Sequence, residues 1–192
     1  MIASLSGAIS EISDGFVIME TSAGVGYQVF TPSVVLAQLE IGSETRLFTV
    51  MLVSNDNNIV LYGFLDKVWV KLFRMLLSVN GIGPRSALAC LDRLTPEKIT
   101  EGIANQDASV FAKVPGIGKK TAQRIITDLA DKTDAVLTAA SSNNPNLLEA
   151  QNGLVYLGYS QTEAMRLVMA VNEPGKSAEE IIRAALKKVV KS

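Results

Sequence analysis

Two short stretches of the chain, 35 positions apart, decide the fold of its central part. The second reads Val114-Pro115-Gly116-Ile117-Gly118-Lys119-Lys120-Thr121-Ala122-Gln123-Arg124, and the first reads Val79-Asn80-Gly81-Ile82-Gly83-Pro84-Arg85-Ser86-Ala87. In both, Gly-Ile-Gly separates two apolar segments of helical period, which predicts a tight hairpin of two helices. The glycines permit positive φ angles and leave backbone N–H groups bare where the next helix starts. Bare N–H groups at a helix start bind anions.

The residues that follow the two turns are basic. Lys119, Lys120 and Arg124 follow the second turn, and Arg85 follows the first. Together with the turn glycines Gly81, Gly83, Gly116 and Gly118, these residues predict a site for the phosphates of a nucleic-acid backbone. A single Gly-Ile-Gly could be only an interhelical turn, but two copies beside basic residues favour phosphate binding.

Two nucleotide-binding loops of similar appearance are excluded by their spacing. A Walker A loop has a glycine where Lys113 stands and a Ser or Thr where Lys120 stands. A dinucleotide-binding loop has a third glycine, and its places here are taken by Ser86 and Thr121. We therefore expect no nucleotide cofactor on this chain.

Composition narrows the chemistry further. The chain has no His, which removes imidazole bases and His metal ligands, and we expect no metal and no catalytic residue. The single Cys90 lies in an Ala- and Leu-rich run and is predicted to be a buried structural thiol. Ser4, Ser6 and Ser10 interrupt the N-terminal apolar residues, and no run approaches the ~20 apolar residues of a membrane span. A soluble cytoplasmic protein, without contact to a membrane, is the expectation.

Charge is distributed unevenly although the net charge is −1. Residues 1–64 carry one Arg against six acidic residues, whereas residues 65–135 carry eleven basic against eight acidic residues. The positive balance thus falls on the segment that holds both turns, as a focused phosphate site requires.

The pattern of residues 1–64 predicts a small β-barrel. Three short runs of period two, a short helical piece from Ser33 to Leu39, and two further strands over Thr45–Val53 and Ile59–Phe64 follow one another. This order suits a five-stranded OB-type barrel. Because the segment is acidic and lacks a basic aromatic platform, we interpret it as a scaffold rather than a DNA-binding surface.

The rest of the chain is predicted to be helical. Residues 65–135 read as helix, hairpin, helix, connector and a second hairpin, with Thr95 and Asp107 as helix caps. Residues 136–146 read as a flexible linker, and residues 147–192 as a small three-helix (UBA-like) bundle with Ser160/Glu163 and Ser177/Glu180 as capping boxes. So small a bundle on a tether is better suited to docking a partner than to forming an enzyme cleft. The predicted fold class is multidomain α+β: barrel, tandem helix-hairpin-helix domain and tethered bundle.

The chain resembles the RuvA family nearly from end to end. The resemblance covers the Met1-Ile2 start, Gly24-Val25-Gly26-Tyr27, Leu61-Tyr62-Gly63-Phe64, both hairpins, the linker and Leu157-Gly158-Tyr159. It implies a homotetramer, or an octamer of two tetramers, that holds a four-way (Holliday) junction open and planar. It also implies a non-catalytic role in recombination and repair. The last domain would dock RuvB, the motor that hydrolyses ATP for branch migration, and the RuvC resolvase would join the same complex.

Carried over by position, the resemblance gives roles to particular residues. Gly81, Gly83, Gly116 and Gly118 would donate backbone N–H groups, Lys119, Lys120 and Arg124 would supply charge to phosphates, and Arg85 would assist. Exposed apolar residues of the last domain would contact RuvB, and the candidates are Leu154, Leu157, Tyr159, Leu167 and Met169, which compete with a plain core role.

One departure from the family concerns the hairpin between the fourth and fifth strands. The family places an acidic pair there, which repels phosphates at the crossover. Here the tip reads Ser54-Asn55-Asp56-Asn57-Asn58, so Asp56 is the only acid, flanked by Asn55 and Asn57. A pin with one carboxylate should repel phosphates more weakly.

Two other functions are compatible with tandem hairpins. A helix-hairpin-helix DNA glycosylase would need a catalytic acid after the hairpin, for which Asp128, Asp131 and Asp134 are candidates, and a pocket for a flipped base. A non-catalytic duplex-binding subunit of a nuclease or polymerase would need only the hairpins. The three acids are equally explained as a solvated helix face, and the small last domain leaves little room for a base pocket.

Overall fold

The computed structural model describes residues 1–54, 56–130, 145–171 and 176–189. The chain divides into two compact units, residues 1–131 and residues 132–192. The first unit holds the β-strands and both Gly-Ile-Gly turns, and the second holds the C-terminal helices.

The N-terminal part is a closed five-stranded barrel with the strand order β1-β2-β3-β5-β4. All neighbouring strands pair antiparallel except β3 and β5, which pair parallel. This order confirms the predicted OB-type barrel. The strands are β1 (Ser4–Ser13), β2 (Phe16–Glu20), β3 (Gly26–Phe30), β4 (Glu44–Val53) and β5 (Ile59–Phe64), and the short helix α1 (Ser33–Leu36) lies between β3 and β4.

Alternation of apolar and polar residues directs one face of each strand into the barrel. The helix α1 ends at Leu36, before the predicted Leu39, although the Leu39 side chain still joins the barrel core. The buried core consists of Leu5, Ile9, Val17, Met19, Val29, Val35, Leu39, Leu47 and Leu61.

Five helices follow the barrel in the described residues of the same unit. They are α2 (Lys67–Leu77), α3 (Pro84–Arg93), α4 (Pro96–Ala104), α5 (Ala108–Ala112) and α6 (Lys119–Leu129). The predicted caps are confirmed, because Thr95 Oγ1 accepts from Lys98 N and the Asp107 carboxylate accepts from Ser109 N. The first Gly-Ile-Gly turn joins α2 to α3, and the second joins α5 to α6, as expected for two helix-hairpin-helix motifs.

Aromatic side chains and one polar contact hold the barrel against the hairpin helices. Phe73 on α2 packs against Tyr62 and Phe64 of β5, with ring centroids 5.0 Å and 5.2 Å apart. On α3, the Asp92 carboxylate accepts hydrogen bonds from the backbone N–H and, at 2.8 Å, the hydroxyl of Ser33 at the start of α1. These contacts fix the two helices of the first hairpin against the barrel.

Cys90 is a core residue of α3, as predicted. Its side chain is fully buried, and burial raises the pKa of the thiol to about 12. A thiol with so high a pKa is almost entirely protonated at neutral pH and is a poor nucleophile.

The described residues of the second unit form three helices around a small core. They are α7 (Pro145–Tyr156), α8 (Gln161–Met169) and α9 (Ala178–Val189). Both predicted capping boxes are present: Ser160 and Glu163 bond reciprocally at the start of α8, and Ser177 and Glu180 do so at the start of α9. Because α7 starts at Pro145, the assignment of residues 145 and 146 to the linker is corrected; the remainder of the linker, residues 136–144, lies outside the described residues.

Candidate nucleic-acid interface

The two Gly-Ile-Gly turns share one backbone geometry. In the first, Ile82 N donates to Val79 O at 3.1 Å, and in the second, Ile117 N donates to Val114 O at the same distance. The Val and Ile side chains of both turns are buried, so the same two apolar residues anchor each turn in the core. The predicted repeat is therefore also a structural repeat.

A glycine is required at the third position of both turns. Gly81 has φ +91° and Gly116 has φ +82°, values that L side chains rarely adopt. A positive φ at this position of a four-residue turn is the mark of type II geometry. The chain then leaves each turn through a second glycine that begins the next helix.

The helices α3 and α6 start with open N-termini. Their N-cap residues, Gly83 and Gly118, have extended backbone angles, and neither has a side chain that could cap the helix. A Cβ atom placed on either glycine would meet no heavy atom within 4 Å. Each helix start is thus open space bordered by backbone donors, which is the form of an anion site.

Several N–H groups of the two hairpins have no acceptor among residues that the structure describes. In the first hairpin they belong to Asn80, Gly81, Gly83, Arg85 and Ser86, and in the second to Gly116, Gly118, Lys119, Lys120 and Thr121. Pro84 and Pro115 have no N–H group to offer. The two hairpins therefore present the same number of donors, and the second adds more charge.

The basic side chains predicted for the site are exposed and close in sequence to these donors. Lys119 and Lys120 occupy the first turn of α6 and form no ion pair with any residue in the described ranges. Arg85 is an exposed residue in the first turn of α3. Burial raises the pKa of Tyr62, and the charge of Arg85 partly opposes that rise. The side chains of these three residues are free to meet an external anion.

Arg124 differs from the other predicted basic residues because its side chain has a partner within the fold. Its Nη1 donates to the backbone carbonyl of Asn80 at 2.9 Å, which links α6 of the second hairpin to the turn of the first. A contact also runs in the other direction, since a Cβ on Gly116 would lie 3.7 Å from Ser86 Oγ on α3. The sequence did not indicate either contact, because no local pattern reports which residues of two hairpins meet.

The hairpin between β4 and β5 carries the predicted pin residue at its tip. Ser54 N donates to Asn58 O at 2.9 Å, Asn57 N donates to Ser54 O at 3.0 Å, and Asn57 has φ +58°. The Asp56 side chain is exposed, while Asn55 lies outside the described residues. The weaker repulsion of phosphates by this tip stays a prediction.

The structure corrects part of the predicted docking surface on the second unit. Leu154 has 0% exposure and belongs to the core of the three helices, because it follows Leu147 at heptad spacing on the inner face of α7. Tyr159, Leu167 and Met169 are half-buried and pack against the same core. Leu157 is exposed.

Three further exposed apolar residues of α7 were missed. Tyr156 has 94% of its surface exposed, and Leu148 and Val155 are also exposed. The seven-residue spacing of Leu148 and Val155 puts them on one helix face beside the buried face of Leu147 and Leu154. This second apolar face, offset by one position from the buried face, was the signal in the sequence that these residues are exposed.

Neither a metal centre nor a membrane span is present in the parts of the chain that are described. No group of three or more Cys, Asp or Glu side chains there could hold a metal ion, and no described helix is long and apolar enough to cross a membrane. Of the acids considered for a glycosylase, Asp128 is an exposed residue of α6, and Asp131 and Asp134 lie outside the described residues.

Comparison with known proteins agrees with this architecture over the whole chain. The family described as "RuvA N terminal domain" matches residues 1–63, and "RuvA, C-terminal domain" matches residues 145–189. Between them, residues 73–131 match the "SAM-like Helix-hairpin-helix tandem". A protein of Yersinia enterocolitica, named "Holliday junction branch migration complex subunit RuvA", is 36% identical over 97% of this chain and 98% of its own length.

The chain belongs to the RuvA family. Proteins with the same name from Lachnospira eligens and from Acinetobacter baumannii strain AYE are each 36% identical and match 100% of both chains. The resemblance seen in the sequence is thereby confirmed, and so is the order of barrel, tandem hairpins and C-terminal helices. As the relatives match from end to end, the family assignment applies to both units.

Proposed function

We propose that this chain is the junction-binding subunit of a branch migration complex, and that its two hairpins hold the DNA backbone. The observation that carries the proposal is the pair of equivalent turns, each followed by an uncapped helix start with free N–H groups. Contacts of this kind are made to phosphates and carry no base readout, so binding should depend on DNA shape and not on sequence.

The residues of the clamp divide into two kinds. Gly81, Gly83, Gly116 and Gly118 contribute N–H groups and open space, and the Lys119, Lys120 and Arg85 side chains contribute charge. Lys and Arg side chains next to a helix start add their attraction to that of the N–H groups, since both favour an anion at the same place.

Catalysis is assigned to a partner. The chain has no Walker A loop and no His, so we infer that ATP hydrolysis for branch migration takes place in the motor subunit RuvB. The two other functions are not favoured, because the family match extends over barrel, hairpins and C-terminal helices alike.

We propose that identical subunits assemble symmetrically around the junction. One pair of hairpins per subunit suits one arm of a four-way junction, so four copies would hold all four arms. We therefore infer a homotetramer, or two tetramers facing each other, with RuvC acting on the same junction. We also propose that the protein is located in the cytoplasm.

The C-terminal unit is proposed to dock the motor through the exposed end of α7. Tyr156 and Leu157 are adjacent, exposed apolar side chains, and such residues are typical anchors of protein interfaces. The surrounding unit has a core of its own, so a change at these positions should not disturb the hairpins.

Replacing Tyr156 and Leu157 together by serine should abolish stimulation of the motor ATPase while junction affinity stays the same. We expect at least a tenfold loss of stimulation, because two anchors are removed. The measurement is ATP turnover by RuvB with a saturating four-way junction. Ile41→Ser, at an exposed apolar residue of the first unit, is the matched control. Full stimulation by the double variant would refute docking through this surface.

A further inference from the structure

The two turns differ at their second position. The second turn has Pro115 there, and the ring of proline holds φ near the value that a type II turn needs. The first turn has Asn80, which imposes no such restriction. At this same residue, Arg124 Nη1 donates to the Asn80 carbonyl at 2.9 Å. The turn that lacks the proline is the one that receives the hydrogen bond.

The guanidinium lies directly against the first turn. A Cβ on Gly81 would be 3.6 Å from Arg124 Nη1, which places the charged group beside the Asn80–Gly81 peptide. The hydrogen bond has no counterpart from α3 to the second turn, because the residue of α3 equivalent to Arg124 is Ala89. The hydrogen bond between the hairpins therefore supports the first turn only.

Holding the Asn80 carbonyl also orients a free donor. A trans peptide is planar, and its C=O and N–H point in opposite directions. The Gly81 N–H belongs to the same peptide as the Asn80 carbonyl, and within the described ranges nothing accepts a hydrogen bond from it. With the carbonyl fixed at Arg124, the Gly81 N–H points away from Arg124.

Without the guanidinium, this peptide could rotate. Type I and type II turns differ by a flip of their central peptide, and glycine at the third position accepts either. Proline at the second position fixes φ there and disfavours the α conformation of the residue before it, so a turn with proline has fewer alternative conformations. The first turn, with Asn80 and Gly81 at its centre, lacks that restriction.

We propose that Arg124 is a positioning residue. It holds the Asn80–Gly81 peptide of the first turn in its type II orientation, and so sets the direction of the Gly81 N–H and joins the phosphate sites of the two hairpins. This replaces the direct phosphate contact that the sequence predicts for Arg124, and it rests on the proposed function of the hairpins.

The test uses Arg124→Met, which keeps the length of the side chain and removes its donors. We expect junction affinity to fall about tenfold, because the Gly81 N–H no longer points at the phosphate and one charge-assisted hydrogen bond to DNA is lost. The slope of log Kd against log salt should not change. Adding Asn80→Pro should recover about threefold of this loss, because proline reduces the conformational freedom of the turn. The Asn80 N–H has no acceptor in the described part of the chain, so proline removes no hydrogen bond there.

A decrease of the slope by about one in Arg124→Met would overturn the proposal, because it would show a lost phosphate contact. Failure of Asn80→Pro to recover part of the lost affinity would also overturn it, provided that Asn80→Pro alone binds like the wild type.

Should Asn80→Pro alone bind poorly, the amide resonances of the free protein decide. In Arg124→Met, the Gly81 resonance should shift while that of Gly116 stays in place, and an unmoved Gly81 resonance would contradict the proposal. These resonances report the positioning without DNA. Failure of the hairpins as a DNA site would instead appear as normal binding by variants of Lys119 and Lys120.

Discussion

Replacing Lys119 and Lys120 together by alanine should lower the affinity for a four-way junction roughly fiftyfold at 0.1 M salt. Both side chains lie in the first turn of α6, are exposed, and form no ion pair in the described residues. Each phosphate contact releases counterions, so the slope of log Kd against log salt should decrease by about 1.8 for the two. The change should be the same for junctions of any arm sequence, because backbone contacts do not read bases.

A control for charge alone is Lys98→Ala combined with Lys187→Ala. Both lysines are exposed, one on α4 and one on α9, and neither follows a Gly-Ile-Gly turn. This variant loses the same charge but should keep nearly the full slope. An unchanged slope in the Lys119/Lys120 variant would mean that these lysines do not touch phosphate.

Replacing Gly83 and Gly118 together by alanine should reduce junction affinity by about a hundredfold, a factor of ten for each helix start. A methyl group at either position meets no protein atom within 4 Å, and both residues have negative φ, so the fold accommodates it. The methyl would instead occupy the space through which a phosphate reaches the N–H groups. Thermal unfolding should show a loss of stability below about 1 kcal/mol per site.

Gly42→Ala is the opposite control. Gly42 has φ +85° in a turn of the barrel, also with no atom near a Cβ, so alanine should strain the backbone by about 1 kcal/mol without affecting DNA. Stability and affinity would then respond to different glycines. If the Gly83/Gly118 variant bound normally, the open helix starts would not be the anion sites.

The features that the sequence predicted well are determined by interactions between residues that are close in the sequence. Strand order followed from alternation and turn residues, and the starts of α4, α5 and α8 followed from the capping chemistry of Thr95, Asp107 and Ser160, which operates within three residues. The two turns were found because positive φ selects glycine wherever it occurs.

The features that were missed depend on contacts between distant residues. Nothing near Arg124 in the sequence indicates that its guanidinium reaches Asn80, 44 positions earlier. The inner and outer faces of α7 differ by one position. Leu154, a docking candidate for which a core role was the alternative, therefore proved to lie in the core, and the exposed Tyr156 was passed over. Helical periodicity shows that two faces exist, but the packing partner decides which face is buried.

The most direct test of the account is a competition between DNA shapes. A labelled four-way junction bound to the full chain is displaced by unlabelled junction or by unlabelled linear duplex of the same arm sequence. We expect displacement by linear duplex to require at least tenfold more DNA, since in the proposed tetramer one pair of hairpins holds a single arm and four copies hold all arms at once. Equal displacement by both DNAs would contradict it.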